Sequence, residues 1–438
     1  WQRNLDTVRI ANKSTFRLDN TTLDFGVFGV NRHLMHPIFQ WLDYRYQDYG
    51  AVARGEGERI IGGHRTSPAA RFSHANRRPD PERIIGGHRN RLTAGFNIVN
   101  GVTDANQYAN VGGNKGTPLS SLLQKPENYS AYLENAWYAT PTVSLIGGVQ
   151  YLYAVRDQRV NFSLNGDVSG RSTFSLLSPK AGILWDVDPT WQVFANVSRS
   201  AEAPSFGESV APNFLNPNFP TIRFFDIKAQ TATTYEIGTR GRRPDYSWDL
   251  ALYRSDIRNE LQCFYSSFGN CNVTNADRTI HQGVEAGAGI TLFKGLAAHG
   301  DTPDRIWLNI AYTYNDFRYD NDATFGNNRL PGAPPHLLRA ELLYKHPAGF
   351  SFGPNIEWIP VAYYVDSANT LTTEPYLLWG LKAAYDDDKR FSAYVEGRNL
   401  SDKAYIAATS VIDRATPTSR LFNPGTGRSV FAGIRYRM

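Results

Sequence analysis

Two cysteines, Cys263 and Cys271, flank seven residues in the stretch LQCFYSSFGNC. Two thiols at this separation, with no clear histidine partner, match no usual zinc arrangement. They suit a disulfide that closes a loop rich in Ser, Gly and aromatics in an oxidising compartment. The chain has only 2 Met in addition, which argues against a dedicated copper site. Residues for catalysis are harder to find. There is no G-x-S-x-G elbow, no H-E-x-x-H and no phosphate-binding Gly loop. Glu236, Glu285 and Glu396 resemble paired acids, but they lie in alternating segments where an inward Arg such as Arg240 or Arg398 would neutralise them. An enzyme is not expected, and no catalytic residue, metal ligand or cofactor is assigned.

The chemistry that remains is binding. Cations and aromatic rings gather in a few polar stretches. Residues 32–46 hold Arg32, His33, His36, Trp41 and Tyr44, and residues 200–230 hold Phe206, Arg223 and Phe225. The cysteine loop holds Phe264 and Tyr265, with Arg278 and His281 following, and the stretch after Asp316 holds Arg318, Tyr319 and Arg329. A guanidinium supplies planar, charge-assisted hydrogen bonds and an aromatic ring supplies stacking area. Each such residue has a plainer use: aromatics pack on one another, and Arg pairs with phosphates of a lipid surface.

The elements that position these residues read as strands. The last eleven residues, RSVFAGIRYRM, place Val430, Ala432, Ile434, Tyr436 and Met438 on one face and Phe431, Gly433, Arg435 and Arg437 on the other. Seventeen segments with this character can be read along residues 1–438. In 306–316, Ile306, Leu308, Ile310, Tyr312 and Tyr314 oppose Trp307, Asn309, Ala311, Thr313 and Asn315. In 278–291, Ile280, Val284, Ala286, Ala288 and Ile290 oppose His281, Gly283, Glu285, Gly287 and Gly289, and the glycines predict space for something bulky on the polar side. Arg254 breaks the alternation by sharing a face with Leu250 and Leu252, from a bulge or from a membrane rim. Short turns, such as 140–141, 188–189 and 242–246, alternate with long connectors at 101–126, 201–230, 262–277, 317–336 and 401–427. Short turns at one rim and long loops at the other is the pattern of an outer-membrane barrel.

Composition fits this reading. Hydrophobic residues make up 41% of the chain, and no apolar run approaches the roughly 18–20 residues of a membrane helix. Yet aromatics reach 13%, with Tyr as common as Phe. A barrel explains both, through a polar lumen face and aromatic girdles. On composition alone a large soluble β protein stays open, but a propeller would show a blade repeat of about 40–50 residues, and none is visible. The net charge of +5 is mild and does not argue for nucleic acid. One repeat does occur: ERIIGGHR at 58–65 returns at 82–89, 24 residues on. By parity this connector belongs with the short turns. Removing one 24-residue unit restores an ordinary turn, so a local duplication or a sequence artefact is expected. A His/Arg binding arm is the alternative.

Several stretches resemble the TonB-dependent outer-membrane receptors of Gram-negative bacteria. VFANVSRSAEAPSFGE (193–208) is similar to the family's aromatic-Ala-x-x-Ser strand end with its following Pro. SPKAGILWDVDPTWQVF (178–194) looks like the strand-turn-strand before it. TTYEIGTRG (233–241) looks like its E-x-G segment, GRNLSDKAYIA (397–407) like its N-L-x-D-x-x-Y segment, and FAGIRYRM like its terminal strand. The family usually ends on an aromatic residue, and this chain ends on Met438. The resemblance implies an all-β, transmembrane antiparallel barrel of the 22-stranded type around an N-terminal plug. With 17 strands read, the expectation is an incomplete barrel without the plug, monomeric, in the outer membrane beside lipid and lipopolysaccharide. It further implies TonB-energised uptake of a ferric chelate such as a siderophore or ferric citrate. Other scarce solutes (cobalamin, a redox cofactor, copper, a sugar) and a passive channel or adhesin barrel are the alternatives. The arginines and aromatics of the long connectors then become the candidate ligand contacts.

Overall fold

The computed structural model describes residues 3–38, 40–61, 64–65, 84–85, 87–164, 166–167, 169–209, 227–265 and 271–437. The chain divides into two compact units, one of Trp1–Trp185 with Asn196–Gln230 and one of Asp186–Ala195 with Thr231–Met438.

The first carries β1 (Asn4–Leu18), β2 (Thr21–Pro37), β3 (Gln40–Ile61), a small ribbon of β4 (His64–Arg65) and β5 (Ile84–Ile85), β6 (His88–Val111), β7 (Asn114–Tyr138), β8 (Val143–Ser163) and most of β9 (Gly170–Asp188). Then come β10 (Trp191–Glu202) and a single helical turn, α1 (Phe206–Ser209). The second unit carries β11 (Gln230–Arg242), β12 (Tyr246–Tyr265), β13 (Cys271–Lys294), β14 (Arg305–Tyr319), β15 (His336–Lys345), β16 (Phe350–Ile359), β17 (Tyr376–Asp386) and β18 (Phe391–Arg398). It ends with a small ribbon of β19 (Ile406–Thr409) and β20 (Phe422–Pro424), then β21 (Ser429–Tyr436). Seventeen strands form one sheet, and their pairing is an antiparallel meander of chain neighbours. The fold is all-β, as the alternation predicts.

The two faces of the sheet follow the sequence. Val8, Ile10, Val27, Tyr235, Ile237, Phe350, Leu381 and Ile434 stand out on one face, 49–79% exposed. Rows of apolar side chains this open to the surroundings are costly in water and suited to lipid. On the other face, charges pair across strands: Arg91 with Glu56, Lys180 with Glu134, Arg339 with Glu357 at 2.9 Å and Lys382 with Glu341 at 3.5 Å. Glu396, suspected as an acid, accepts from Arg398 at 2.7 Å, the neutralisation expected of it. Arg254 sits in unbroken register opposite Gln282, bonds Asp256 at 2.8 Å and marks the rim, so no bulge is involved.

Three expectations need correction. Residues 101–126 are not a loop, and within 262–277 the described residues 262–265 and 271–277 are strand. β6 and β7 run on to a tight turn between Val111 and Asn114, where Gly112 and Gly113 take positive φ, and β12 and β13 run on to Tyr265 and Cys271. Arg32, His33, His36, Trp41 and Tyr44 likewise lie on the paired strands β2 and β3. Two glycines of β13 leave no empty space either: the Tyr253 ring covers Gly283 and the Trp307 ring covers Gly289, whereas Gly287 meets nothing nearer than Asp249 Cβ at 3.8 Å and keeps the predicted room.

The repeated segment falls mostly outside the described residues. Its flanks are informative: Ile61 pairs with His88, and the β3–β6 register is unbroken behind them. Deleting 62–85 would join Ile61 to Gly86-Gly87-His88, a two-residue Gly-Gly hairpin in that same register. The deletion is therefore expected to leave assembly intact, read as unchanged heat-modifiable migration of the membrane-extracted protein. Loss of the folded band would contradict the duplication reading.

Candidate ligand-binding surface

The long-connector end of each unit holds the candidate residues. In the first unit, β2 and β3 project Arg32, Tyr44 and Tyr46 from the polar face. Arg32 donates to Asp48 at 2.8 Å and lies 5.3 Å from the Tyr46 ring centre. Tyr44 meets Tyr46 edge-on at 6.2 Å, and its hydroxyl accepts from Gln107 at 2.6 Å. Burial pushes the Tyr44 phenol above its ordinary pKa, so it stays a neutral hydroxyl. His36 is half-buried on the Arg32 side. His33 and Trp41 point to the opposite face by strand parity. There Asp43 takes His33 Nε2 at 2.6 Å and, on its other oxygen, Lys115. Burial pushes Asp43 up, but Lys115 and His33 outweigh it and hold the carboxyl below its usual value.

The segment after β10 is tied down by a residue that sequence patterns do not single out. Arg156 on β8 is 8% exposed and donates through Nε to the Pro204 carbonyl at 2.8 Å and through a terminal nitrogen to Asn128 Oδ1 at 3.1 Å. Glu208 accepts the Ser205 N–H at 2.6 Å, capping the turn that holds Phe206 half-buried. Arg156→Ala is expected to free the described start of this segment, read as faster proteolytic cleavage within 203–209 with the strands still resistant. Arg223 and Phe225 lie outside the described residues.

In the second unit, Cys263 is disulfide-bonded, and the chain's other cysteine is Cys271. Phe264 is half-buried beside it, while the Tyr265 side chain lies outside the described residues. Arg278 pairs with Asp320 at 2.8 Å. His281 stacks on Phe317 with centroids 4.3 Å apart, and its Nε2 lies 3.2 Å from Glu260 Oε1 but off the axis of a hydrogen bond. Burial pushes Glu260 up, yet His281, Thr279 and Gln262 together keep its carboxyl below the usual range. Tyr319 is 1% exposed, with its hydroxyl 3.0 Å from Gln262 Oε1 and 2.9 Å from Ser367 Oγ. Burial raises its phenol to about 12. Tyr319 thus serves as an internal tie. Arg318 and Arg329 meet through a backbone bridge, and the Arg329 side chain is exposed.

Three connectors of this unit interlock. Asn369 bonds both the N–H and the carbonyl of Arg329 at 2.9 Å. Asn328 donates to the Ser367 carbonyl at 2.8 Å, and the Ser367 N–H donates to Ile412 at 3.0 Å. At the centre Asp366, fully buried, accepts the N–H groups of Thr370 (2.8 Å), Leu371 (3.1 Å) and Ala415 (2.9 Å) as well as the Thr370 hydroxyl. The N-L-x-D-x-x-Y stretch closes the base of the third connector. Asn399, with positive φ, bonds Lys403 and Thr426, Asp402 caps the Arg428 N–H, and the Tyr405 ring packs at a tilt on Tyr376 with centroids 4.7 Å apart.

In the first unit Arg32 offers an exposed guanidinium from the polar face; in the second, Arg329 offers one on connectors that are hydrogen-bonded to one another, while Arg278 stands on the apolar face with Ile280 and Val284. Arg32 is held by the Asp48 carboxylate, which an anionic ligand could replace.

Comparison with known proteins agrees with this architecture. Residues 1–400 match the model of the TonB dependent receptor-like β-barrel. An uncharacterized TonB-dependent receptor of Haemophilus influenzae is 26% identical over 300 residues, 64% of this chain and 78% of that protein. The vitamin B12 transporter BtuB of Vibrio vulnificus is 23% identical over 74% of this chain and 52% of its own length. Among solved structures, the ferric yersiniabactin uptake receptor FyuA of Yersinia pestis superposes with a TM-score of 0.67 at 14% identity. The ferric citrate transporter FecA gives 0.68 at 16% identity. Both cover 99% of this chain, which spans 61% and 60% of their lengths. At such identities the likeness shows the fold. Barrels of this kind serve transport rather than catalysis and lie in the outer membrane. Among the described residues no helix is long and apolar enough to cross a membrane, which says nothing of crossing by strands. The chain belongs to the TonB-dependent receptor-like β-barrel family.

Proposed function

We propose that the protein bearing this chain is an outer-membrane receptor, multi-pass in a Gram-negative envelope, for TonB-energised uptake of a ferric chelate. The observation that carries this reading is the pairing of the exposed Arg32 with aromatic rings at the long-connector end of the first unit. Arg32 over Tyr46, beside Tyr44, supplies charge and a flat surface together. Ferric chelates are often anionic and carry flat donor groups, so bidentate Arg contacts and stacking fit them. The fold likeness to FyuA and FecA supports the same class. Energy for uptake would come from TonB acting on a plug domain, because the outer membrane holds no gradient of its own.

The vitamin B12 transporter among the relatives keeps cobalamin as the second reading. The test is growth of a deletion strain under iron starvation with individual siderophores or ferric citrate supplied. A defect on one chelate, restored by the gene, is expected. Normal growth and uptake on every iron source would sink the ferric reading, and a defect confined to cobalamin would establish the second.

A further inference from the structure

We propose that Arg156 is an oxyanion site on the polar face of the first unit, and that a ligand's carboxylate or phosphate group taken there releases the segment after β10. The inference deepens the receptor reading above and rests on it for a soluble ligand that reaches this face. Glu134, Gly148 and Lys180 stand opposite one another across β7, β8 and β9, and Glu134 pairs with Lys180 past the glycine. Arg156 lies an even number of positions from Gly148 along β8, so strand parity puts it on that same charged face.

Other cations of that face have carboxylates: Arg89 has Glu58, Arg91 has Glu56 and Lys180 has Glu134. Arg156 has none among the described residues. It is 8% exposed, and it donates to neutral oxygens alone. Nε bonds the Pro204 carbonyl at 2.8 Å. Nη1 bonds Asn128 Oδ1 at 3.1 Å and the carbonyls of Val155 at 3.0 Å and Glu127 at 3.5 Å. Around it on the same face stand Gln124, Asn128, Gln158 and Ser172, which are polar but not acidic. A charge withdrawn this far from water is ordinarily paired with an opposite one. An oxyanion supplies that partner.

The hydrogen bonds leave one edge of the guanidinium for it. Nη2 has no partner among the described residues, and Nε beside it holds only the Pro204 carbonyl. Nε and Nη2 form the side-on edge, which takes two oxygens of a carboxylate or phosphate at once. A ligand on this edge displaces the Pro204 carbonyl, and a charge-assisted pair is roughly twice as strong as the neutral bond it replaces. Glu208 turns that exchange into a release. Its charge reaches Arg156 without forming an ion pair, and its carboxylate accepts the Ser205 N–H at 2.6 Å within the same segment. Attraction between the two charges helps hold 203–209 down. An anion on Arg156 cancels that attraction and repels Glu208, so both ties loosen together. Phe206, half-buried in the tied turn, comes free with them.

The test uses the full protein extracted from its membrane in mild detergent. Calorimetry measures binding of citrate and of inorganic phosphate, and limited proteolysis with mass mapping measures cleavage within 203–209. At least one of the two anions should bind and speed cleavage, and the one that acts identifies the group. Trimethyl citrate, which has no charge, and sodium chloride at equal ionic strength should do neither. Arg156→Lys keeps the charge but loses the side-on edge, and should bind the active anion about tenfold more weakly. Glu208→Gln keeps an acceptor for Ser205 but removes the opposing charge, and should bind it more tightly. Lys389→Gln, in the short turn after β17, should match wild type. Silence from both anions, binding without faster cleavage, an equal effect of the ester or of chloride, or equal binding by Arg156→Lys would overturn the proposal. Heat-modifiable migration shows that each variant is folded, and if Arg156→Lys does not fold, the direction of the Glu208→Gln change decides. No readout involves uptake, so a failed ferric reading in cells leaves this result standing, and its failure leaves that reading to the growth test.

Discussion

Asp366→Ala should release the interlocked connectors of the second unit as a group. The side chain is fully buried and its two oxygens take three backbone N–H groups and one hydroxyl. Removing it leaves those four donors unpaired at about 1–3 kcal/mol each, so local stability falls by about 4–12 kcal/mol where all four stay buried. Asp366→Asn keeps one acceptor oxygen but turns an amide NH2 toward the donors on the other side, and should lose about half as much. Limited proteolysis with mass mapping reads the effect: cleavage should appear within 361–375 and 410–416 while the strands stay intact. Acid should do reversibly what the mutation does permanently. Burial pushes Asp366 up, but Thr370, Ala415 and Leu371 outweigh it and its native pKa lies below the ordinary 3.8. A carboxyl depressed on folding contributes its full stability above its unfolded pKa and loses it as pH falls through the native one. The connectors should therefore keep their protease resistance down to about pH 4 and lose it below. Unchanged resistance in Asp366→Ala would mean the interlock does not depend on this carboxylate.

Gly283→Ala and Gly289→Ala should both impair assembly, but only the second should be repairable. A methyl group on Gly283 meets the backbone carbonyl of Tyr314 on the neighbouring strand, besides the Tyr253 hydroxyl at 2.9 Å. A methyl group on Gly289 meets only side chains, the Trp307 ring and Ser247 Oγ at 2.8 Å. Overpacking of this kind costs about 1–3 kcal/mol, more where a backbone must move. Trp307→Leu should restore folded protein to Gly289→Ala, whereas Tyr253→Phe should do nothing for Gly283→Ala. The folded fraction is read by heat-modifiable migration. Rescue in both pairs would mean the backbone gives more easily than its packing implies.

These glycines show how far the sequence could be read. The alternation of Ile280–Ile290 against His281–Gly289 gives the faces of β13 correctly, because one face meets apolar surroundings and the other polar. The same pattern predicts vacant space beside Gly283, Gly287 and Gly289; Gly287 keeps it, but the pattern does not show that Tyr253 and Trp307 on the neighbouring strands fill the other two. Residues 101–126 read as a loop from sequence for a related reason. A ribbon that extends beyond the lipid has no face that must be apolar, so Asn106–Val111 and Asn114–Ser121 show no useful period, and Pro118 and Pro126 read as breakers.

The candidate ligand residues were legible as types more than as a group. Arg32 and Tyr44 do share a face, yet His33 and Trp41, close by in sequence, lie on the other. Tyr319 was singled out as an aromatic in a polar stretch, and burial makes it an internal tie. Arg156, Glu260 and Asp366 carry no sufficient local signature, since each also holds a partner 19–49 positions away. Asn399 stood within a motif, but its role as a clamp on Lys403 and Thr426 needs the fold.

The most direct test of the whole account is uptake of radiolabelled ferric chelates by cells that express this protein as their only such receptor. Accumulation of one chelate is expected, and it should stop when the proton gradient is collapsed while surface binding of the chelate persists. Accumulation that continues without the gradient would make the protein a passive channel, and failure to bind or accumulate any ferric chelate would contradict the proposed function outright.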